Sequence, residues 1–381
     1  MKNNKSAIVV GAGIVGLATA RSLSLRGFDV TIIERTQKAV GASIRNFGML
    51  WPIGQPDGKL YDRALRSKSI WKDIADSIGL WYDEVGSLHL AHHQDEWQVL
   101  QELYESFKQN GRPVTLLDKH TILERYNGVN GNGLLGGLYS DTETIVDPRV
   151  AIPTVAKYLE EYLDVQFIWG KAVTNITSGK VWMGSETLEA DIICVCSGAD
   201  FETLYPQQFR QLPITKCKLQ MLRYIANKAN DRIGVSLCGG LSLIHYNSFK
   251  VSPSLPKLKA RYEAELRDYL QLGIHVMVSQ NHKGELTVGD SHEYGLTFDP
   301  FDKTYINSMI LNYLNQFAVT HNWQLIDSWH GIYPKMTNGD TDVFLQPDKD
   351  VYIINGLGGA GMTLSFGFAE ECTHLISGDT I

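Results

Sequence analysis

The stretch AIVVGAGIVGLATARSLSLRGFDVTIIE, residues 7–34, decides the fold. Four apolar residues read as a short strand, and GAGIVG follows at once. The next run carries helical spacing as far as Gly27, and DVTIIE is a second strand. In such a strand–turn–helix–strand unit Gly11 makes the tight turn, Gly13 lets the backbone approach a pyrophosphate, and Gly16 lets helix and strand pack closely. Ile14 opens the helix, whose unpaired N–H groups suit an anion. Glu34 ends the second strand, eighteen residues after Gly16, where a carboxylate accepts hydrogen bonds from ribose hydroxyls. An acid there argues against a ribose phosphate, and so against NADP. Arg35, next in the chain, joins the candidate cofactor contacts.

Two further glycine clusters choose between dinucleotides. VYIINGLGGAGMTLSFGFAEE, residues 351–371, reads as strand, glycine-rich turn and helix starting near Met362, so it offers a second helix N-terminus. One such end serves NAD. A flavin uses two, because reduction places negative charge around its pyrimidine ring and a helix N-terminus stabilises it. Gly358, Gly359, Gly361, Met362 and Thr363 are the candidate contacts. The third cluster, DIICVCSGAD at 191–200, is a buried strand leading into Ser197 and Gly198, a backbone suited to pass close to the dinucleotide.

Composition narrows the partners. With 381 residues the chain exceeds one core, and 44% apolar with 20% charged residues is ordinary for a soluble enzyme. A net charge of -7 offers no basic stripe for nucleic acid. Five cysteines form no CxxC pair and no even framework, so a reducing, cytoplasmic setting is expected and no metal site. Cys194 and Cys196 alternate on a buried strand and read as core. The charged start MKNNK followed by an apolar run looks like a leader, yet three glycines interrupt it and no cleavage pattern follows. No other run has the length to span a bilayer.

GAGIVG with its terminal acid, VCSGAD and NGLGGAGMT, joined by ASIRNFGML at 42–50, resemble the FAD-dependent oxidoreductases of the D-amino-acid oxidase, glycine oxidase and sarcosine oxidase type over nearly the whole length. The resemblance implies α/β plus α+β architecture: a Rossmann-like FAD domain and a substrate domain built on a large antiparallel sheet. The discontinuous FAD domain is expected at 1–85, 145–215 and 326–381, the substrate domain at 86–144 and 216–325. It also implies that Ser43, Arg45, Asn46 and Gly48 run along the pyrophosphate and flavin. Ser43 can donate to a phosphate and Arg45 supplies a fixed positive charge, unless it forms a structural salt bridge.

The remaining runs fit that plan. VDPRVAIPTVAKYLEEYL reads as a helix entered through Pro148, with VQFIWGKAVTNI as the strand after it. GSLHLAHH, KLQMLRYIA, GLSLIHYNSFKVS and GIHVMVSQNHKGELTVGDSHEYG read as alternating β runs, and RYEAELRDYLQL and INSMILNYLNQFAVTH as amphipathic helices.

WHGIYPK, residues 329–335, reads as a strand end entering a bend, because Gly331 and Pro334 are breakers. In the amino-acid-oxidising relatives a Gly-x-Arg-Pro stretch here forks an Arg onto the substrate carboxylate, whereas this chain has Tyr333. Sarcosine-oxidase-like relatives attach flavin through a Cys near this point, where Gly331 stands, so non-covalent FAD is expected. Lys335, with His330, His245 and Tyr246 as further candidates, suggests an anion other than a simple α-carboxylate. The chain also resembles a branch associated with phosphonate breakdown.

The expected reaction is hydride transfer from an amine-bearing carbon to flavin N5, followed by imine hydrolysis, with oxygen or another acceptor reoxidising the flavin. The expected substrate is an anionic small amine, an aminoalkylphosphonate or its N-methyl derivative. Alternatives are a glycine, sarcosine or D-amino-acid oxidase-like enzyme, a flavin-binding subunit without amine oxidation, and an NAD(P)H-dependent monooxygenase. The Gly-Asp of VGDSHEYG is the one hint of the last, and its place in the substrate lobe discounts it.

Overall fold

The computed structural model describes residues 5–226 and 232–378; residues 1–4 of the charged start lie outside them. The opening strand Ser6–Val10 is central in a six-stranded sheet. It pairs in parallel with Asp29–Glu34 on one side and Ile192–Val195 on the other. Gln166–Trp169 and Val351–Asn355 extend the sheet in parallel, and Val343–Asp348 closes it antiparallel. These strands read as near-continuous apolar runs because both faces are covered. On one face the helices Ile14–Leu25, Lys59–Ile78, Pro148–Leu163 and Gly361–Ser377 share a core. On the other lies a small antiparallel sheet formed by Asn175–Thr177, Lys180–Met183 and Glu186–Glu189.

Helix boundaries have local causes. The Asp147 carboxylate accepts from Arg149 N–H at the start of Pro148–Leu163, with Pro148 in the first turn. Lys59–Ile78 buries Arg63, Ala64, Ser67, Ile70, Trp71, Ile74 and Ala75, a helical stripe, and ends at Gly79 in the left-handed region. The Arg63 side chain is 2% exposed, and it binds Glu371 at 2.7 Å and Asp342 at 2.5 Å. It ties this helix to the terminal one.

The second sheet has nine strands. Its order is Glu293–Gly295, Ile214–Ala226, Glu285–Gly289, Met277–Gln280, Ser236–Cys238, Ser87–Ala91, Gly136–Ser140, Val114–Asp118, with Trp323–Met336 on the free edge of Ile214–Ala226. The pairing is antiparallel except between Ser236–Cys238 and Ser87–Ala91. The helices Gln94–Gln109 and Thr304–Phe317 cover it.

Several expectations need correction. The run 240–252 is no strand: it forms two short 3-10 turns, Gly240–Ile244 and Asn247–Val251. Ser242 Oγ donates to Gly239 O and Ser248 Oγ to Ile53 O, bonds that compete with a ladder. The segment 329–335 is the end of a strand, as expected, but Gly331 and Pro334 do not break it: the 14-residue strand Trp323–Met336 pairs with Ile214–Ala226 as far as Met336. An edge strand tolerates Pro334. The boundary expected at 325/326 falls inside this strand. The run 165–176 makes two strands in different sheets, separated at Gly170 (φ 73°). The helix expected over 261–272 breaks into Leu255–Glu265 and Arg267–Gln271.

At Gly16 an added Cβ would lie 1.9 Å from the Gly11 carbonyl oxygen. The helix therefore packs on its strand only with glycine there. Gly16→Ala is expected to lower the stability of the flavin-free chain by about 1–3 kcal/mol, read as an earlier urea midpoint. An unchanged midpoint would mean that the helix and strand have room to separate.

Candidate active site

The turn 11–16 is closely packed. A Cβ at Gly11 (φ 106°) would lie 2.5 Å from the Cys196 carbonyl oxygen, so the first turn and the Ser197–Gly198 turn touch. A Cβ at Gly13 would meet only Ser43 Oγ, at 3.1 Å. Ser43 Oγ accepts from Ile14 N–H at 2.9 Å, which places the hydroxyl on the helix start. Glu34 is fixed at its strand end by Ala12 N–H at 2.9 Å and by Thr36 N–H and Oγ–H at 3.1 and 2.8 Å. Arg35 pairs with Asp200. Ser197 Oγ donates to Asp200 O, and Asn355 Nδ2 donates to Gly198 O. The latter bond links the second and third glycine clusters.

The loop 42–50 crosses from this turn toward the large sheet. Asn46 is a brace: Nδ2 donates to Ala42 O and Ser43 O, and Oδ1 accepts from Gly48 N–H at 2.7 Å. Gly48 (φ 73°) passes so close to Val146 O that a Cβ would lie 2.0 Å away. Arg45 Nη1 donates to His330 O at 3.1 Å and forms no ion pair among the described residues, so the expected alternative of a structural salt bridge does not arise.

The terminal turn passes through the 3-10 turn Gly358–Ala360 into the helix Gly361–Ser377, and no side chain caps that helix start. Met362 O accepts from Trp71 Nε1, and Thr363 Oγ1 accepts from Trp51 N–H at 2.9 Å. Trp51, which the sequence reading missed, is 5% exposed, and its indole Nε1 is buried without an acceptor. An uncapped start to the terminal helix, the Ser43 hydroxyl on the first helix start and a Gly13 that meets nothing else fit a dinucleotide with a flavin ring.

Segment 329–335 faces that turn. A bridge joins Lys335 to Leu357, a Cβ at Gly358 would lie 3.5 Å from Lys335 Cδ, and one at Gly359 would lie 3.5 Å from the Tyr333 hydroxyl. Strand alternation sorts the candidates. Gly331, Tyr333 and Lys335 share a face with Leu219, Cys217 and Thr215 opposite them in register. Cys217, Leu219, Met221 and Tyr333 pack together against Ala42 and Phe47 of the loop. His330 lies on the opposite face, with Nδ1 2.8 Å from Asp302, so only its carbonyl reaches Arg45. Lys335 is half-buried and has no acidic partner among the described residues.

Beside this wall lies a histidine row. His245 stacks on His275 with ring centres 3.6 Å apart, and His275 on His292 at 5.1 Å. Tyr246 meets His245 edge-on, and its hydroxyl donates to Met277 Sδ at 3.0 Å. His292 lies 6.5 Å from the Tyr333 ring. The ring nitrogens of the three histidines come within 4.8 Å of one another. Their rings are within 19° of parallel, however, and in-plane lone pairs of stacked rings do not converge on one ion. Asp290 is 4% exposed and lies against His275 Nδ1 at 3.2 Å and His292 Nε2 at 3.7 Å. His275, Asp290 and His292 escaped the sequence reading. The one available signal was VGDSHEYG, whose Gly-Asp was weighed as a pyridine-nucleotide motif.

The chain matches the family described as FAD dependent oxidoreductase (DAO) over residues 6–375, and it belongs to that family. FAD is therefore its cofactor. It is 32% identical over 148 residues to a glycerol 3-phosphate dehydrogenase of Caloramator mitchellensis, covering 37% of this chain and 30% of that protein. It is 20% identical to D-amino acid dehydrogenase 2 of Mesorhizobium japonicum over 97% of this chain and 96% of that one. The chain spans about a third of the length of the first curated relatives it matches. Its fold is that of glycine oxidase from Bacillus cereus, with a TM-score of 0.80, 15% identity, and coverage of 99% and 96%. All five cysteines are free and buried, and no helix among the described residues is long and apolar enough to cross a membrane.

Burial sets the charge states. It lowers His275 well below the ordinary histidine range and His292 to about 4, while it holds the Asp290 carboxyl well above its usual range. The two histidines stay neutral when folded and take up protons on unfolding. Their contribution to stability is complete above about pH 6.5 and is lost as the pH falls toward the folded value. Asp290 has the opposite sign: its contribution is present below the ordinary carboxylate pKa and fades as the pH rises. The histidines outnumber it, so the urea midpoint of the flavin-free chain is expected to fall between about pH 6.5 and 4.5. His292→Gln is expected to flatten that fall by about 1–2 kcal/mol at pH 5. Equal slopes in both proteins would show that His292 titrates normally.

Proposed function

We propose that this chain oxidises a small amine that carries an anionic group, an aminoalkylphosphonate or its N-methyl derivative. The observation that carries this reading is Lys335, a half-buried cation on the wall facing the terminal glycine turn, without an acidic partner among the described residues. Bound FAD supplies the hydride acceptor for the carbon–hydrogen bond next to nitrogen. The turn 11–16, Glu34, Ser43, Gly198 and the start of helix Gly361–Ser377 would hold it, without a covalent bond.

The chain's own side chains do the rest. Lys335 is a compact ammonium, suited to phosphonate oxygens as a point charge. Tyr333 stands where the resemblance expects a carboxylate-forking arginine. Burial keeps the hydroxyl of Tyr333 protonated, so it serves as a donor. The apolar patch of Leu219, Met221 and Phe47 excludes water from the wall. Substrate orientation, rather than a strong base, then provides most of the acceleration. Oxygen or another acceptor takes the electrons afterwards, and five buried free thiols suit a reducing, cytoplasmic setting.

A second reading, an α-amino acid such as glycine or sarcosine, is favoured by Arg45. Its guanidinium approaches the wall at His330 O and keeps donors free for a carboxylate.

Anaerobic mixing of the FAD-loaded protein with aminoethylphosphonate, its N-methyl form, glycine and sarcosine separates the readings. Bleaching of the flavin by the phosphonates at the lowest concentrations is expected. Bleaching by glycine or sarcosine alone would transfer the anion role to Arg45, and no bleaching by any amine would contradict amine oxidation. Lys335→Met should weaken apparent phosphonate affinity by about 10–100-fold; unchanged affinity would remove Lys335 from the site.

A further inference from the structure

We propose that Asp290 is the amine pole of the substrate site: its buried carboxyl, braced by His275 and His292, receives the substrate's ammonium and holds the proton that nitrogen gives up, opposite Lys335. This rests on the reading of Lys335 as the anion pole.

The geometry supplies an acceptor in want of a donor. Asp290 is 4% exposed, and its Oδ1 is buried without an aligned hydrogen-bond donor, although His275 Nδ1 is 3.2 Å away. A carboxyl oxygen left so is costly unless a ligand satisfies it. His292 Nδ1 lies 2.9 Å from Gly273 O, which puts the ring proton there and leaves Nε2 as an acceptor on the Asp290 side. The groups around Asp290 come from every neighbouring element. His245 and Tyr246 come from the 3-10 turns, His275 precedes Met277–Gln280, and His292 and Tyr294 follow along its own segment. Cys217 and Tyr333 come from the long strand pair.

None of these groups is a cation. Burial keeps His275 and His292 neutral and the Tyr333 hydroxyl and Cys217 thiol protonated, and the phenols of Tyr246 and Tyr294 are protonated at neutral pH in any setting. Lys335 lies on the strand face of Tyr333, against the terminal glycine turn. An ammonium therefore fits beside Asp290, where it also meets aromatic faces.

The proton balance is definite. Burial without an aligned donor or a neighbouring cation favours the protonated carboxyl of Asp290 before binding. An ammonium and a carboxylic acid bring two acidic protons to a site that keeps one, so one leaves to solvent. The remaining proton is shared between nitrogen and Asp290 Oδ1. When it resides on the oxygen, the nitrogen lone pair is free.

Calorimetry of the FAD-loaded protein at neutral pH, in buffers of different ionisation enthalpy, tests this with two probes that cannot be oxidised. One is the α,α-dimethyl analogue of aminoethylphosphonate, which has no hydrogen on its amine-bearing carbon. The other is neopentylphosphonate, its amine-free isostere. Once each phosphonate's own second ionisation, titrated in free solution, is subtracted, the amine probe should release about one proton more than the isostere. Asp290→Asn should abolish that difference and weaken the amine probe by about tenfold or more, while isostere binding is preserved and reports a folded site. Equal proton release by the two probes in the wild-type protein would overturn the role of Asp290, even where the variant fails to fold. So would wild-type affinity of the variant for the amine probe. Failure of the wild-type protein to bind the isostere, with the extra proton still released by the amine probe, would overturn only the anion role of Lys335.

Discussion

One bridge, between Lys335 and Leu357, connects the two halves of the chemistry. The strand Trp323–Met336 belongs to the large sheet, paired along Ile214–Ala226, yet its last turnward residues lie against the glycine-rich turn that starts the terminal helix. The helix start, which suits the electron-rich end of a reduced flavin, and the side chains proposed to meet a substrate are therefore fixed by a single length of backbone. A shift of the strand by one residue would move Tyr333 and Lys335 to the far face and bring His330 inward.

That strictness explains how the site divides its labour. The side facing the cofactor loop is apolar around Leu219 and Met221, with Tyr333 reaching the glycine turn. Beyond it the polarity rises, through Cys217 and Tyr333 to the stacked histidines and Asp290. Burial favours the neutral forms of His275, His292 and Asp290, so they shape and hydrogen-bond rather than attract at long range. Lys335, on the strand face of Tyr333, has no acidic partner among the described residues, and the proposed anion would supply one.

The opening strand, helix and second strand were legible because Gly11 and Gly16 answer close backbone approaches and Glu34 closes the unit. The terminal turn and the turn at Ser197 were legible because Gly356, Gly358 and Gly198 take the left-handed backbone conformation. The histidine row was not. His245, His275 and His292 come from a 3-10 turn and two strand ends, and nothing in their spacing announces that they stack. The run 240–252 alternates apolar and polar residues, a pattern that strands and 3-10 turns share, and only its serine-to-backbone bonds decided between them. His330 was misplaced for a simpler reason: strand alternation sends it to the Asp302 side, and that alternation is hidden when Gly331 and Pro334 are read as the end of the strand.

The central claim is that the face of Tyr333 and Lys335 opposite the terminal glycine turn is where the substrate's anion binds. A crystal structure of the FAD-loaded protein with ethylphosphonate, an anion without an amine, measures this directly. Phosphonate oxygens within hydrogen-bond distance of Lys335 Nζ, on the side of the strand that carries Tyr333, are the predicted result. Phosphonate bound instead to the Arg45 guanidinium, with Lys335 turned to solvent, would contradict it.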